Sequence, residues 1–425
     1  MAISRALNIC KLVLGVSAVL LVAGLFGEDT RSRFAADVDF RVWQVPPTPS
    51  GMVPSQSWLS IGASPDGDVF ITGCDHKTNS ALYRLSQKDQ QLRWAGDART
   101  ASETVNNWMP GETAEKFHVR PVYFRGKLYL ATADFTGSDA GYLNHRGFHW
   151  YAYDLAAGTF SDLSKAEPGG VGGEHASIVA LALDEAGGYI YGLETPRGLL
   201  FRYDVALNRT TNLGKAPYFP EGHYMPGRQM WVGKYGRIYF AISAVDHVMY
   251  FDPILGWGEE KEWRLATNNG SSMVFRTGAE SPDGALVFLA DVDGRIYRFS
   301  RRDDSFRQIG QLTNSDPASN PTGPLKVRAF NVSRDGKRIY FINDDSDKSA
   351  FWEWEIARNV TRRLCMLSEL DLRLGSPSLA THGGNESWDR LGYVYFCAFG
   401  NNLAHPTELL LCRLNPERLR EIRGN

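Results

Sequence analysis

Five of the nine histidines in this 425-residue chain lie between positions 118 and 223: His118 in KFHVRP, His145 and His149 in NHRGFHWYAYD, His175 in GEHASIV and His223 in EGHYMPGRQMW. Arg197 in ETPRG, Arg228, Arg276 and Arg328 accompany them, as do Trp108, Tyr142, Tyr218, Tyr224 and Trp231. An imidazole titrates near ~6.5 and so serves as acid or base around neutrality. Guanidinium groups bind carboxylate or sulfate through paired hydrogen bonds. One chemistry uses this set economically: β-elimination at a uronic acid. The C5 proton is weakly acidic until the neighbouring carboxylate is neutralised, so Arg or His⁺ must stabilise the developing enolate. A neutral His or a Tyr takes the proton, and an acid protonates the leaving glycosidic oxygen. No water attacks, so the paired carboxylates of glycoside hydrolysis are not required, and no such pair stands out.

These groups act together only if a fold brings them to one place, and the sequence carries a repeat. A glycine turn followed by an alternating aromatic and β-branched strand occurs as SPDGDVFITG from Ser64, FRGKLYLATA from Phe124, EAGGYIYGL from Glu185, KYGRIYFAIS from Lys234, SPDGALVFLA from Ser281, SRDGKRIYFI from Ser333 and DRLGYVYFCAF from Asp389. The turn glycines Gly67, Gly126, Gly187, Gly236, Gly284, Gly336 and Gly392 are spaced by roughly 50 to 60 residues, the length of a four-stranded blade with variable loops. A second strand follows each, for example WYAYDLAAGT or LLFRYDVALN, and most copies add a short outer strand such as TFSDLS or RTTNLG. This A, B, C, D order predicts an all-β protein, a seven-bladed β-propeller. The strand FRVWQV at 40–45 has no blade of its own. It is expected to close the ring by pairing into blade seven, which leaves no free edge. Residues 28–56 are then closing strand and linker, and 57–425 the propeller.

Strand A runs from one face of a propeller to the other, B returns and C runs forward again. The starts of A and C and the end of B therefore share one face, the mouth face. His118 is expected to open A of blade two, with His145 and His149 at the B–C loop and start of C of the same blade. His175 opens A of blade three, and His223 precedes A of blade four. His76, His247 and His405 fall in B–C loops, and His382 falls toward the other face. Arg228 begins A of blade four, Arg197 sits in the B–C loop of blade three, and Arg276 and Arg328 lie on A strands of blades five and six. Each residue alone has a plainer account: loops tolerate histidine, arginines pair between blades, and tryptophans pack blade cores. Their convergence on one face is what argues for a site.

Lys plus Arg total 46 against 48 Asp plus Glu, a net charge of −2 with no long basic run, so there is no electrostatic footprint for nucleic acid. Aromatics at 12% together with 42 glycines suit short strands joined by tight turns. Arg5 and Lys11 precede an apolar run from Leu12 to Phe26, shorter than the ~20 residues of a membrane span and similar to a secretory h-region. Residues 1–27 are read as a signal peptide or N-terminal anchor, although no clear A-x-A site follows, and a secreted or periplasmic location is expected. Cys74, Cys365, Cys397 and Cys412 then reside where disulfides are permitted. Cys397 and Cys412 lie on neighbouring predicted strands, either bridged or buried as free thiols. The sequons at Asn208, Asn269, Asn331, Asn359 and Asn385 carry little weight.

The stretches FHVRPVYFRGKLYLATADF, RGFHWYAYDLAAGTFSDLS and GGVGGEHASIVALALDEAGGYIYGLETPRGLLFRYD resemble the seven-bladed propeller polysaccharide lyases that act on ulvan and similar uronate polymers. The resemblance covers blades two to four. It implies a catalytic centre of two histidines from one blade, at the starts of A and C, with a tyrosine and an arginine from following blades. His118 and His149 match the histidine places, and Arg228 matches the carboxylate neutraliser by position. The chain departs from the family at the phenol, because Leu199 and Leu200 open strand C of blade three; Tyr224 is assigned that part instead. His145, His175, Arg197 and Arg276 become substrate-binding residues, the partner is an anionic polysaccharide, and no cofactor is implied.

Two other readings stay open. A non-catalytic propeller that binds a glycan or a protein through the same face would give binding without an unsaturated product, since fold does not fix function. A metal-dependent lactonase or lyase would hold a divalent cation with three mouth-face histidines; acidic ligands from several A strands, the usual hard-cation arrangement, are not evident.

Overall fold

The computed structural model describes residues 32–134, 145–219, 227–266, 274–314, 323–343, 349–375, 379–383 (backbone), 391–400 and 409–423. Apolar and aromatic alternation folds these segments into seven four-stranded antiparallel sheets, six of them in sequence order. Blade one consists of Ile61–Ala63, Val69–Cys74, Ser80–Leu85 and Leu92–Asp97; blade two of Val122–Phe124, Lys127–Ala131, Trp150–Asp154 and Thr159–Asp162. In the seventh sheet the order is Leu379–Gly383, Val394–Gly400, Leu409–Leu414 and then Arg41–Gln44 from the other end of the chain. Arg41 pairs with Arg413 and Gln44 with Leu410. The N-terminal strand is thus the outer strand of blade seven, which closes the ring as expected.

Each turn between strands A and B needs at least one residue in the left-handed region, where a side chain is strained. Six of the seven turn glycines adopt it, from φ +68° at Gly284 and Gly336 to +91° at Gly67. Blade three departs: Gly188 takes this conformation at +72°, not Gly187. Seven hydrophobic clusters fill the seven junctions between neighbouring blades. Trp150 and Tyr203 pack across the junction of blades two and three with ring centroids 5.3 Å apart. Trp231 is 2% exposed and stands 5.9 Å from Phe275 of the next blade, so it belongs to the blade core. Trp108 packs partly buried against the junction of blades one and two.

The connection from blade one to blade two contains a short helix, Ala98–Thr104, that the strand pattern did not announce; Asp97 caps it by accepting the Thr100 N–H at 2.8 Å. Gly147–Phe148 and Gly173–Glu174 form a two-stranded ribbon at the mouth face between blades two and three. A Cβ on Gly147 would lie 2.1 Å from the Gly173 carbonyl oxygen, so that close approach requires glycine. All four described cysteines are buried, and none forms a disulfide. Cys397 pairs with Leu411, and Cys412 with Phe396. The two cysteines are therefore one position out of register, point to opposite faces of blade seven and cannot bridge. Among the described residues, no helix is long and apolar enough to cross a membrane.

Candidate functional site at the channel mouth

Three segments that lead into A strands bring polar groups together at the mouth face: 56–60 into blade one, 115–121 into blade two and 227–229 into blade four. His118 is 3% exposed and stacks on the half-buried Trp58, with centroids 6.3 Å apart and ring planes 18° apart. The Arg228 guanidinium carbon and the Lys116 ammonium each lie 5.9 Å from the Trp58 ring centre, within reach of a cation–π attraction. Burial, and then the charges of Arg228 and Lys116, push the His118 imidazole well below its usual pKa. It is a neutral base beside two cations.

Lys116 has a second set of neighbours. Its ammonium donates to His76 Nε2 at 2.9 Å, which leaves the proton on His76 Nδ1 to meet Glu115 at 2.6 Å. Burial lowers the Lys116 pKa against the pull of Glu115. Below this cluster, His118, Arg120, Arg228 and Glu280 line a cavity of about 50 Å³. A larger cavity of about 610 Å³ shares Arg120 and Glu280 and continues to Glu185, Asp283 and Arg301 at the opposite face. Glu280 holds Arg301 through both oxygens at 2.6 and 2.8 Å.

His149 is not part of this cluster. It is 3% exposed and points away from the channel, where Nδ1 meets Asp162 of the outermost strand at 3.0 Å and Nε2 meets Glu112 at 2.9 Å. Arg146 shares Glu112 at 2.9 and 3.0 Å, so two carboxylates and two cations form a closed quartet. Burial opposes the charge on His149, but the bonds to Asp162 and Glu112 outweigh it and raise its pKa. Among the described residues no bond joins His149 to His118. The expected pairing of these two histidines is therefore corrected: His149 is a charged strut with both ring nitrogens engaged.

The remaining predicted residues divide. His145 is a mouth-face imidazole whose pKa burial, followed by His175 and Arg197, pushes down to about 4; its Nε2 lies 3.5 Å from Ser177 Oγ. His175 Nδ1 donates to the His145 carbonyl at 2.7 Å. Arg197 donates to the carbonyls of Glu174 and His175 at 3.1 and 2.9 Å and to Glu194 at 3.1 Å, which makes it a staple for the loops of blade three. Arg276 and Arg328 sit at register shifts between Phe275 and Thr277 and between Val327 and Ala329. These are β-bulges, where a strand can re-aim a side chain, and neither arginine lines the cavity beside His118. Tyr224, Tyr142, His223 and His405 lie outside the described residues. Among those described, no group of three His, Cys, Asp or Glu is arranged to hold a metal ion.

Asp134 supports the floor of this region. It accepts from Thr113 at 3.0 Å and from the Glu115 N–H at 2.7 Å, while burial pushes its carboxyl up to about 7 despite those bonds. A folded-state pKa above the ordinary 3.8 means that ionised Asp134 destabilises the fold increasingly as pH rises from ~4 toward 7. Asp134→Asn keeps an acceptor oxygen and is expected to raise the melting temperature at pH 8 with no change near pH 3.5, checked by thermal unfolding across pH.

Sequence reasoning missed Trp58, His76, Glu115 and Lys116 as a unit. Trp58 lies in the short lead into strand A of blade one, and Lys116 and Glu115 carry no motif beyond adjacency to His118.

No family model matches the chain, and no curated protein matches it. Solved structures do. A streptogramin B lyase superposes with a TM-score of 0.55 at 12% identity, covering 88% of this chain and 98% of the other. An inactive variant of virginiamycin B lyase from Staphylococcus aureus, with quinupristin, gives 0.52 at 11% identity over 88% and 99%. An extracellular domain, that of BT4673 from B. thetaiotaomicron, gives 0.52 at 9% identity, covering 87% of this chain and 39% of that one. At such identities these likenesses show the seven-bladed fold alone. The lyases among them are named for streptogramin B and virginiamycin B and not for ulvan.

Proposed function

We propose that the channel mouth binds the carboxylate of a uronic-acid-containing polysaccharide and that the protein is an exported lyase cleaving it by β-elimination. One observation carries this reading: a neutral imidazole, His118, lies beside two cations, Arg228 and Lys116, on the face of Trp58. The cations neutralise the substrate carboxylate and acidify the C5 proton. His118 or the equally neutral His145 takes that proton. Trp58 offers an aromatic face to a sugar ring. Because His149 is committed to its two carboxylates, the leaving-group acid is sought elsewhere at the mouth face.

A second reading has an observation of its own. The cavity of about 50 Å³ beside His118 has room for waters and not for a sugar ring, so a glycan would rest on the rim of the mouth without bringing its C5 carbon to His118, which favours a propeller that binds an anionic glycan without cleaving it. Incubation with a panel of uronate polysaccharides separates the two. Elimination creates a conjugated double bond and a rise in ultraviolet absorbance, lost in His118→Ala and Arg228→Met. Retained binding with no absorbance change on any polymer supports the second reading; neither binding nor product defeats both.

A further inference from the structure

Blade four differs from its neighbours on the face opposite the mouth. Its C–D turn carries Ile254, 89% exposed, and Leu255, 78% exposed, where the same turns of blades one, two and five read QKDQ, AAGT and RRDD. Its A–B turn projects Tyr235, 92% exposed and with φ +58°. The two turns touch, since a Cβ on Gly236 would lie 3.5 Å from Pro253 Cγ. Both are rigidly built. Asp252 accepts the N–H groups of Ile254 and Leu255 at 2.9 and 3.0 Å and is itself held by Arg237 at 3.1 Å. The C–D turn of the adjoining blade three carries a further exposed apolar residue, Leu207.

We infer that these turns are a lipid-bilayer docking surface, with Tyr235, Ile254 and Leu255 inserting at the headgroup boundary. Three such side chains present on the order of 500 Å² between them, well short of the roughly 800 Å² per partner of a stable protein interface. Tips held out by a fixed hairpin also lack the breadth of an interface core, whereas they suit a fluid partner that closes around them. An aromatic with a polar tip beside two aliphatics is the mixture that sits at a membrane–water boundary. Lys234 beside Tyr235 and Arg209 at the C–D turn of blade three are exposed cations suited to lipid phosphates. Glu185 and Asp303, exposed on the same face, offset these cations, so insertion carries the attachment and added salt changes it little. Docked in this way, the propeller turns the mouth of His118 and Arg228 away from the bilayer.

The test uses the full chain with Cys10→Ser, because the described native cysteines are buried. An environment-sensitive fluorophore is placed at Leu255→Cys and, separately, at Tyr218→Cys on the mouth face. Vesicles of phosphatidylcholine and phosphatidylglycerol are added. The label at 255 is expected to shift to shorter wavelength and to be quenched several-fold by spin-labelled lipid, while the label at 218 stays aqueous. Tyr235→Ser with Ile254→Ser should abolish the shift at 255 while leaving the near-ultraviolet dichroism unchanged. An aqueous signal at 255 with vesicles present overturns the inference. So does a shift that appears without lipid as protein concentration rises, which assigns the surface to a second copy of this chain.

Discussion

Replacing His149 with alanine is expected to cost about 3–5 kcal/mol of stability, the range for removing one partner from a buried ion pair. Asp162 and Glu112 would be left facing each other's charge in a site where Asp162 is fully enclosed. Asn107 and Ser102 would still donate to Asp162 at 2.8 and 2.7 Å, and Arg146 would still hold Glu112, so the domain should fold but melt early. The pH dependence has a definite sign. The folded pKa of His149 is raised, so its contribution is complete below ~6.5 and is lost as pH rises through the folded value. Burial works to raise the pKa values of Asp162 and Glu112, but the bonds from His149 and their other donors win and lower both. Their contribution is complete above their ordinary values of 3.8 and 4.5 and is lost as pH falls. The gap in melting temperature between the wild type and His149→Ala should therefore be widest between about pH 4.5 and 6.5 and narrow on both sides. A variant that melts normally yet loses all activity would place His149 in the chemistry after all.

His149 also shows what a sequence of this kind conceals. The glycine turns, off by one residue in blade three, the A to D order and the closing strand at 41–44 were legible, because each reports a local requirement: a positive φ, a period of two, an edge that needs a partner. Which face of the propeller a residue occupies was legible too, since it follows from strand order alone; His118, His145, His175 and Arg228 all lie where that rule puts them. The rule does not say whether a side chain turns inward to the channel or outward to the rim. His118 turns in and stacks on Trp58, while His149, at the start of C in the same blade, turns out to a carboxylate on strand D. That choice depends on the partner, and Asp162 and Glu112 lie 13 and 37 residues away in sequence. Arg197 behaves in the same way, its donors taken by carbonyls that no pattern of side chains reveals. The cations at the mouth come from separate blades, and the aromatic surface between them belongs to the lead into a third, so they become a group only once the ring has closed.

Arg228→Met is the substitution expected to act most strongly on function while sparing the fold. Arg228 is half-buried at the head of blade four, outside the seven apolar junctions, and methionine preserves much of its reach across Trp58. What disappears is a fixed positive charge aimed at the place where negative charge would develop on the substrate, and removing one such preorganised group lowers turnover by about 10²–10³-fold. Lys116 is a poor substitute, since its ammonium already bonds His76 and lies 3.6 Å from Glu115. Arg228→Lys should recover only part of the loss, because an ammonium supplies charge without the paired donors that match a carboxylate. The same substitution has a second consequence that a purely structural residue would not produce. Arg228 is the first charge, after burial, that holds His118 neutral; with that charge removed the His118 pKa should rise toward its ordinary value, moving the acidic limb of the activity or binding profile to higher pH. Titrating the His118 ring by NMR in the wild type and in Arg228→Met, alongside turnover on uronate polymers, measures both effects. An unchanged imidazole titration would mean that the two side chains do not share a site, and the channel-mouth assignment would fall with it.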